Sequence, residues 1–139
     1  MVGHIRSNGD ERFGMFWMGD PPFDAYRLTT SLQGIFRFMA RFFEDSKDET
    51  YRIFIRHNTY LGSGAGTALV RSFAFSYDDA DYENLPAAED QLLFLCHEMT
   101  HNWVGFRSQI SHNWYSEGMA EYFSLLFPLQ LKLFRRNNS

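Results

Sequence analysis

His97-Glu98-Met99-Thr100-His101 sets two imidazoles four residues apart, with a carboxylate beside the first. On a helix, residues i and i+4 share one stripe, so both rings can reach one ion. Zinc accepts neutral imidazole nitrogen, and a reactive zinc site takes three protein ligands plus a water. With His97 as origin, His101 falls at about 40° and Glu98 at about 100° round the helix. Glu98 can then flank a metal-bound water and take its proton. Leu92, Leu95, Cys96, Met99 and Trp103 fall at about 160–260° and make an apolar stripe for a core. Gly105, one turn on, leaves room for a ligand.

Two imidazoles leave the ion one protein ligand short. Glu117 and Glu121 lie in Trp114-Tyr115-Ser116-Glu117-Gly118-Met119-Ala120-Glu121-Tyr122, again four apart on one stripe. Glu117 can bind the ion, and Glu121 can accept the free ring N–H of a ligand histidine. Tyr115 and His112 are the remaining candidates for contact with a substrate or a developing oxyanion. Core packing of Tyr115 and Tyr122, and a plain loop position for His112, compete with that role. Cys96 falls on the core side and reads as an inert buried thiol, while His4 and His57 read as structural or solvent-exposed.

These groups need a scaffold, and the apolar periodicity outlines one. Arg12 to Met18 reads as a strand, ended by Gly19-Asp20-Pro21-Pro22. Asp24 can cap a helix whose stripe is Leu28, Leu32, Ile35, Phe36, Met39, Phe42 and Phe43. Polar residues from Glu44 to Thr50 close that helix. Tyr51 to His57 alternates as a second strand, and Thr67 to Tyr77 as a third, after a glycine-rich loop at Leu61 to Gly66. Asp78 to Asn84 is an acidic loop. Pro86 opens a helix running to about Val104, and another spans about Ser116 to Phe127 before Pro128 breaks or kinks the tail. Strands that follow one another without alternating helices indicate an α+β fold.

Composition bounds the rest. The 139 residues suffice for one domain. Apolar residues at 45% exclude disorder, and no apolar run approaches the roughly 18 residues of a membrane span. Fifteen Phe and 18% aromatics call for a thick core or a face meant for another domain. Thirteen basic against seventeen acidic residues, with no basic stripe, argue against nucleic acid. A lone cysteine permits no internal disulfide, and Met1 to Asp10 is polar with no signal-peptide core. Both point to a reducing compartment, the cytoplasm.

His97-Glu98-x-x-His101-Asn102-Trp103-x-Gly105, followed by Trp114-x-x-Glu117-Gly118-x-Ala120, resembles the gluzincin metallopeptidases. The similarity is greatest to the aminopeptidase N and glycyl aminopeptidase branch. It implies a thermolysin-like core, a small mixed sheet packed on two active-site helices. It also implies Zn2+ on His97, His101 and Glu117, with Glu98 as general base, and a peptide or protein substrate. Three features depart from the family pattern. Fifteen residues separate His101 from Glu117, a few fewer than in that branch. The stretch Gly64 to Val70 lacks the Glu with which those enzymes hold the substrate's amino terminus. Their oxyanion-stabilising Tyr would fall beyond Ser139, as would a C-terminal helical domain. The chain is therefore expected to be a single catalytic domain, residues 1–139, of a longer zinc metallopeptidase. Apolar surface is expected around Phe123, Leu126, Phe127, Leu131 and Phe134. The alternative is a non-catalytic zinc- or peptide-binding module derived from a peptidase fold.

Overall fold

Alternation along three strands decides which face of the sheet becomes the core. The computed structural model describes residues 4–45, 50–60, 65–78, 88–104 and 113–133. Its elements are β1 (Ile5–Gly9), β2 (Phe13–Met18), α1 (Ala25–Phe42), β3 (Tyr51–His57), β4 (Ala65–Leu69), β5 (Ser72–Tyr77), α2 (Ala88–Thr100) and α3 (Asn113–Gln130). The strands form one mixed sheet in the order β1-β2-β3-β5-β4. The central β2, β3 and β5 are mutually parallel, and both edges are antiparallel to their neighbours. Phe13, Met15 and Trp17, then Tyr51, Ile53 and Ile55, then Phe73 are buried with Leu32, Ile35, Phe36 and Met39 of α1. Leu92, Leu95, Cys96 and Met99 of α2 join the same core. The fold is α+β, as expected, with three helices among the described residues.

The strand at Tyr51–His57 and the first helix form as the periodicity requires. Asp24 caps α1, its carboxylate accepting from Arg27 N at 3.0 Å. The end of α1 carries no helix-stop glycine. Glu44 takes the left-handed conformation (φ 50°). Glu44 N donates to Arg41 O at 3.2 Å and Asp45 N to Ala40 O at 2.8 Å, the two bonds of a Schellman motif.

Four elements differ from the sequence expectation. The polar segment before Asp10 contains β1, held by its backbone ladder with β2 rather than by apolar alternation. Asp10 shapes the intervening turn, its Oδ1 accepting from Arg12 N and Phe13 N. The stretch Thr67 to Tyr77 is part of a hairpin, not one strand, and Ala65 and Gly66, expected in the glycine-rich loop, already pair in its first strand. Val70 and Arg71 make its turn, with Arg71 at φ 58°. No Asn or Gly marks that turn, so the usual hairpin signal is missing. Helix α2 stops at Thr100, where Asn102 and Trp103 donate to carbonyls three residues back and tighten the chain into a turn. Helix α3 runs through Pro128 to Gln130. Its end is another Schellman motif, with Lys132 at φ 54° and Leu133 N donating to Pro128 O at 2.9 Å. The residues around Pro86 and Gly105, and Phe134, lie outside those described.

Aromatic packing joins α1 to α3. Phe42 and Phe38 each place their rings 5.3 Å from Phe127, and Phe43 lies 5.3 Å from Phe123. Phe123 and Phe127 are therefore buried, not exposed as expected. Phe42 in turn is half-exposed rather than core. Trp114, Tyr122, Leu125 and Leu129 of α3 are exposed to solvent and share one helical stripe; Leu133, just past the helix, is exposed as well. Tyr115 and Tyr122 are exposed too, so the packing role read for them does not hold.

One glycine is fixed by close approach. A Cβ on Gly66 of β4 would lie 2.5 Å from Cζ of the buried Phe73, and 3.3 Å from Phe94 of α2. Overpacking of this kind costs about 1–3 kcal/mol. Gly66→Ala is therefore expected to lower unfolding free energy by about that amount, read as a shift of the urea midpoint at unchanged slope.

Candidate metal centre

Two helices with buried apolar faces turn their polar faces toward one point. Burial of Leu92, Leu95, Cys96 and Met99 fixes the rotation of α2. Burial of Ala120, Phe123 and Phe127 fixes that of α3. What remains between them is the stripe with His97 and His101 on one side and Glu117 and Glu121 on the other. His97 Nε2 lies 3.1 Å from Glu117 Oε2, and His101 Nε2 lies 3.5 Å from Glu117 Oε1. The two Nε2 atoms are 3.2 Å apart. One ligand atom from each of these residues falls within 4.8 Å of the others.

The second ring nitrogens are also accounted for. His97 Nδ1 lies 3.3 Å from Glu121 Oε2. His101 Nδ1 lies 3.4 Å from Val104 O and 3.4 Å from Ser116 Oγ, whose own hydroxyl donates to Val104 O at 3.2 Å. A proton on each Nδ1 satisfies these acceptors and leaves each Nε2 with a lone pair pointing at the shared centre.

The donor set fits zinc. Two ligands held at about 2.0–2.2 Å on a tetrahedral ion stand about 3.3–3.6 Å apart. The two Nε2 atoms, 3.2 Å apart, stand close to that separation, and the Glu117 carboxylate lies 3.1 Å from His97 through Oε2 and 3.5 Å from His101 through Oε1. Two imidazoles and a carboxylate with fixed outer partners are the donors such an ion takes. Both imidazole side chains are 18% exposed and Glu117 is 48% exposed, so the centre opens to solvent on the α3 side.

Glu98 is half-buried on α2 and is not among the converging ligand atoms. Its charge reaches Tyr51 at the start of β3. Burial pushes the Tyr51 hydroxyl well above its ordinary pKa, and the Glu98 carboxylate adds to that shift. Tyr115 stands against Trp114, ring centroids 6.0 Å apart, on an exposed part of α3. His112 lies outside the described residues. His4 and His57 are exposed and stand apart from the trio. Sequence reasoning missed Ser116 and the Val104 carbonyl as partners of His101. The first had no signal beyond adjacency to Glu117, and the second depends on the turn after Thr100.

No family model matches the sequence, and no curated protein matches it. Among solved structures, the chain is similar to the crystal structure of an aminopeptidase N family protein from Idiomarina loihiensis. The two superpose with a TM-score of 0.72 at 17% identity, over 96% of this chain and 26% of that one. The chain thus spans about a quarter of the neighbour's length. At that identity the likeness is one of fold, a distant peptidase-like fold. No described helix is long and apolar enough to cross a membrane.

Cys96 supplies a chemical check on how α2 is seated. It is fully buried, and burial pushes its thiol pKa up to about 12. The thiolate is the reactive form. Alkylation of the native protein by iodoacetamide at pH 8 is therefore expected to be more than about a hundredfold slower than in denaturant. Equal rates would show that the core face of α2 is open.

Proposed function

We propose that this chain is the catalytic domain of a zinc-dependent metallopeptidase of the gluzincin type, built on a thermolysin-like core. The observation that carries the proposal is the convergence of His97 Nε2, His101 Nε2 and Glu117 from two helices, with both Nδ1 positions facing an acceptor. In this reading His97, His101 and Glu117 hold the ion, and Glu121 and Ser116 orient the imidazoles. When bound, zinc polarises a scissile carbonyl and makes a coordinated water a nucleophile near neutral pH. Glu98 accepts the proton of the attacking water on its carboxylate and passes it to the leaving amine.

The edge of the sheet suits an extended peptide. That edge is β4 (Ala65–Leu69) alone, because β5 is paired on both sides. A peptide adding as a further strand would bond its backbone to the side of β4 that no described strand pairs. No carboxylate occurs from Gly64 to Val70, so β4 supplies no anchor for a substrate's amino group. That absence favours a second reading, a zinc- or peptide-binding module that cuts nothing. The larger length of the structural neighbour supports a role as one domain of a bigger enzyme. The exposed stripe of α3, from Trp114 to Leu129, is then the face that a helical wall would cover. Tyr115 remains a candidate donor to the oxyanion.

Paired substitutions separate metal binding from catalysis. His101→Ala is expected to abolish stoichiometric zinc, measured by elemental analysis after reloading and desalting. Glu98→Gln is expected to keep zinc and lose about 10²–10⁴-fold in peptide hydrolysis, since the amide cannot take a proton. Retained zinc with turnover equal to wild type would refute the role of Glu98. Zinc binding with no hydrolysis in either protein would favour the non-catalytic module.

A further inference from the structure

Asp45 is an acidic side chain at the end of α1, far in sequence from the candidate centre, and its side chain is only 6% exposed. The Schellman motif that ends α1 fixes its backbone, through the bond from Asp45 N to Ala40 O. Its carboxylate meets two other parts of the fold. Arg71, in the turn between β4 and β5, donates from Nη2 to Oδ1 at 3.2 Å and sets Nη1 2.8 Å from Oδ2. Trp103, two residues after His101, donates from Nε1 to Oδ2 at 2.9 Å. The indole also stacks on Phe43, with centroids 5.6 Å apart and planes 11° apart, and lies 5.7 Å from Phe36.

Trp103 sits within the turn that sets the partner of His101. Trp103 N and Val104 N both donate to Thr100 O, at 2.9 and 3.0 Å. The carbonyl of Val104, the next residue, faces His101 Nδ1 together with Ser116 Oγ, which itself donates to that carbonyl. An imidazole binds through Nε2 only while its proton stays on Nδ1, and that carbonyl favours the proton there. We infer that Asp45 is a positioning residue for His101. Through the Trp103 indole it locks the turn of residues 101–104, and through Arg71 it ties that turn to the hairpin that carries the edge strand β4. This rests on the proposed reading of His97, His101 and Glu117 as metal ligands.

The alternative is that Asp45 only stabilises the fold, and metal binding tells the two apart. Trp103→Phe keeps a ring on Phe43 and Phe36 and removes only the N–H donor. Its zinc Kd, measured by competition with a chromophoric chelator, is expected to rise about 10-fold, at the low end for loss of an outer partner of a ligand. The visible absorption of the cobalt-loaded protein is expected to shift with it. Asp45→Asn should act in the same direction, and the double variant should be no worse than the more affected single one. Melting of the metal-free proteins is followed in parallel. A lower melting temperature with zinc Kd within twofold of wild type and an unmoved cobalt spectrum would overturn the proposal. If Asp45→Asn fails to fold, Trp103→Phe alone decides on the same criteria. Wild-type affinity no greater than that of His101→Ala would instead remove the metal site itself, and the positioning role with it.

Discussion

Two imidazole nitrogens held 3.2 Å apart cannot both turn a lone pair toward the other unless positive charge sits between them. In the proposed metal site, that electrostatic demand is the organising constraint. The Glu117 carboxylate reaches both rings from α3, which adds a third set of lone pairs and deepens the demand. A shared proton could satisfy one pair of these atoms. A divalent cation satisfies all three at once, and the outer partners, Glu121 on one ring and Val104 O with Ser116 on the other, suit neutral imidazoles protonated on Nδ1.

Holding three such groups together costs stability unless the scaffold resists their separation. Resistance comes from packing on the opposite faces of the same helices. Met99 and Cys96, beside the histidines on α2, are fully buried, as are Ala120 between Glu117 and Glu121 and Phe127 further along α3. The phenylalanines of α1 and α3 interlock at ring separations near those of favourable edge contacts. This accounts for the high aromatic content, and the sheet beneath fixes α1 and α2 through a continuous core.

What could be read from the chain divides along local and non-local lines. The pairing of His97 with His101 on one stripe was legible because helical geometry is a short-range property. The apolar residues on the far side of the same helix gave an independent check, and Tyr51–His57 was legible because alternation is equally local. Strand β1 was not, because an edge strand with polar residues is held by backbone pairing to β2. The hairpin at Arg71 was hidden because a non-glycine residue takes the left-handed conformation there, whereas the end of α1 was legible in the polar run that begins at Glu44 and only its left-handed cap was not. The Arg71 side chain finds its partner only in the folded chain. Glu117 needed the stripe it shares with Glu121, together with a resemblance. Ser116 and Val104 had no signature, since their role exists only once the turn after Thr100 closes.

The central claim is that His97, His101 and Glu117 share one ion. X-ray absorption at the zinc edge of the zinc-loaded protein tests it most directly. The expected shell is four-coordinate, with nitrogen and oxygen neighbours at about 2.0–2.2 Å. Outer-shell scattering should come from two imidazoles, with no sulfur contribution, and His97→Ala should remove one imidazole. An imidazole-free oxygen shell, a sulfur ligand, or a spectrum unchanged in that variant would contradict the assignment.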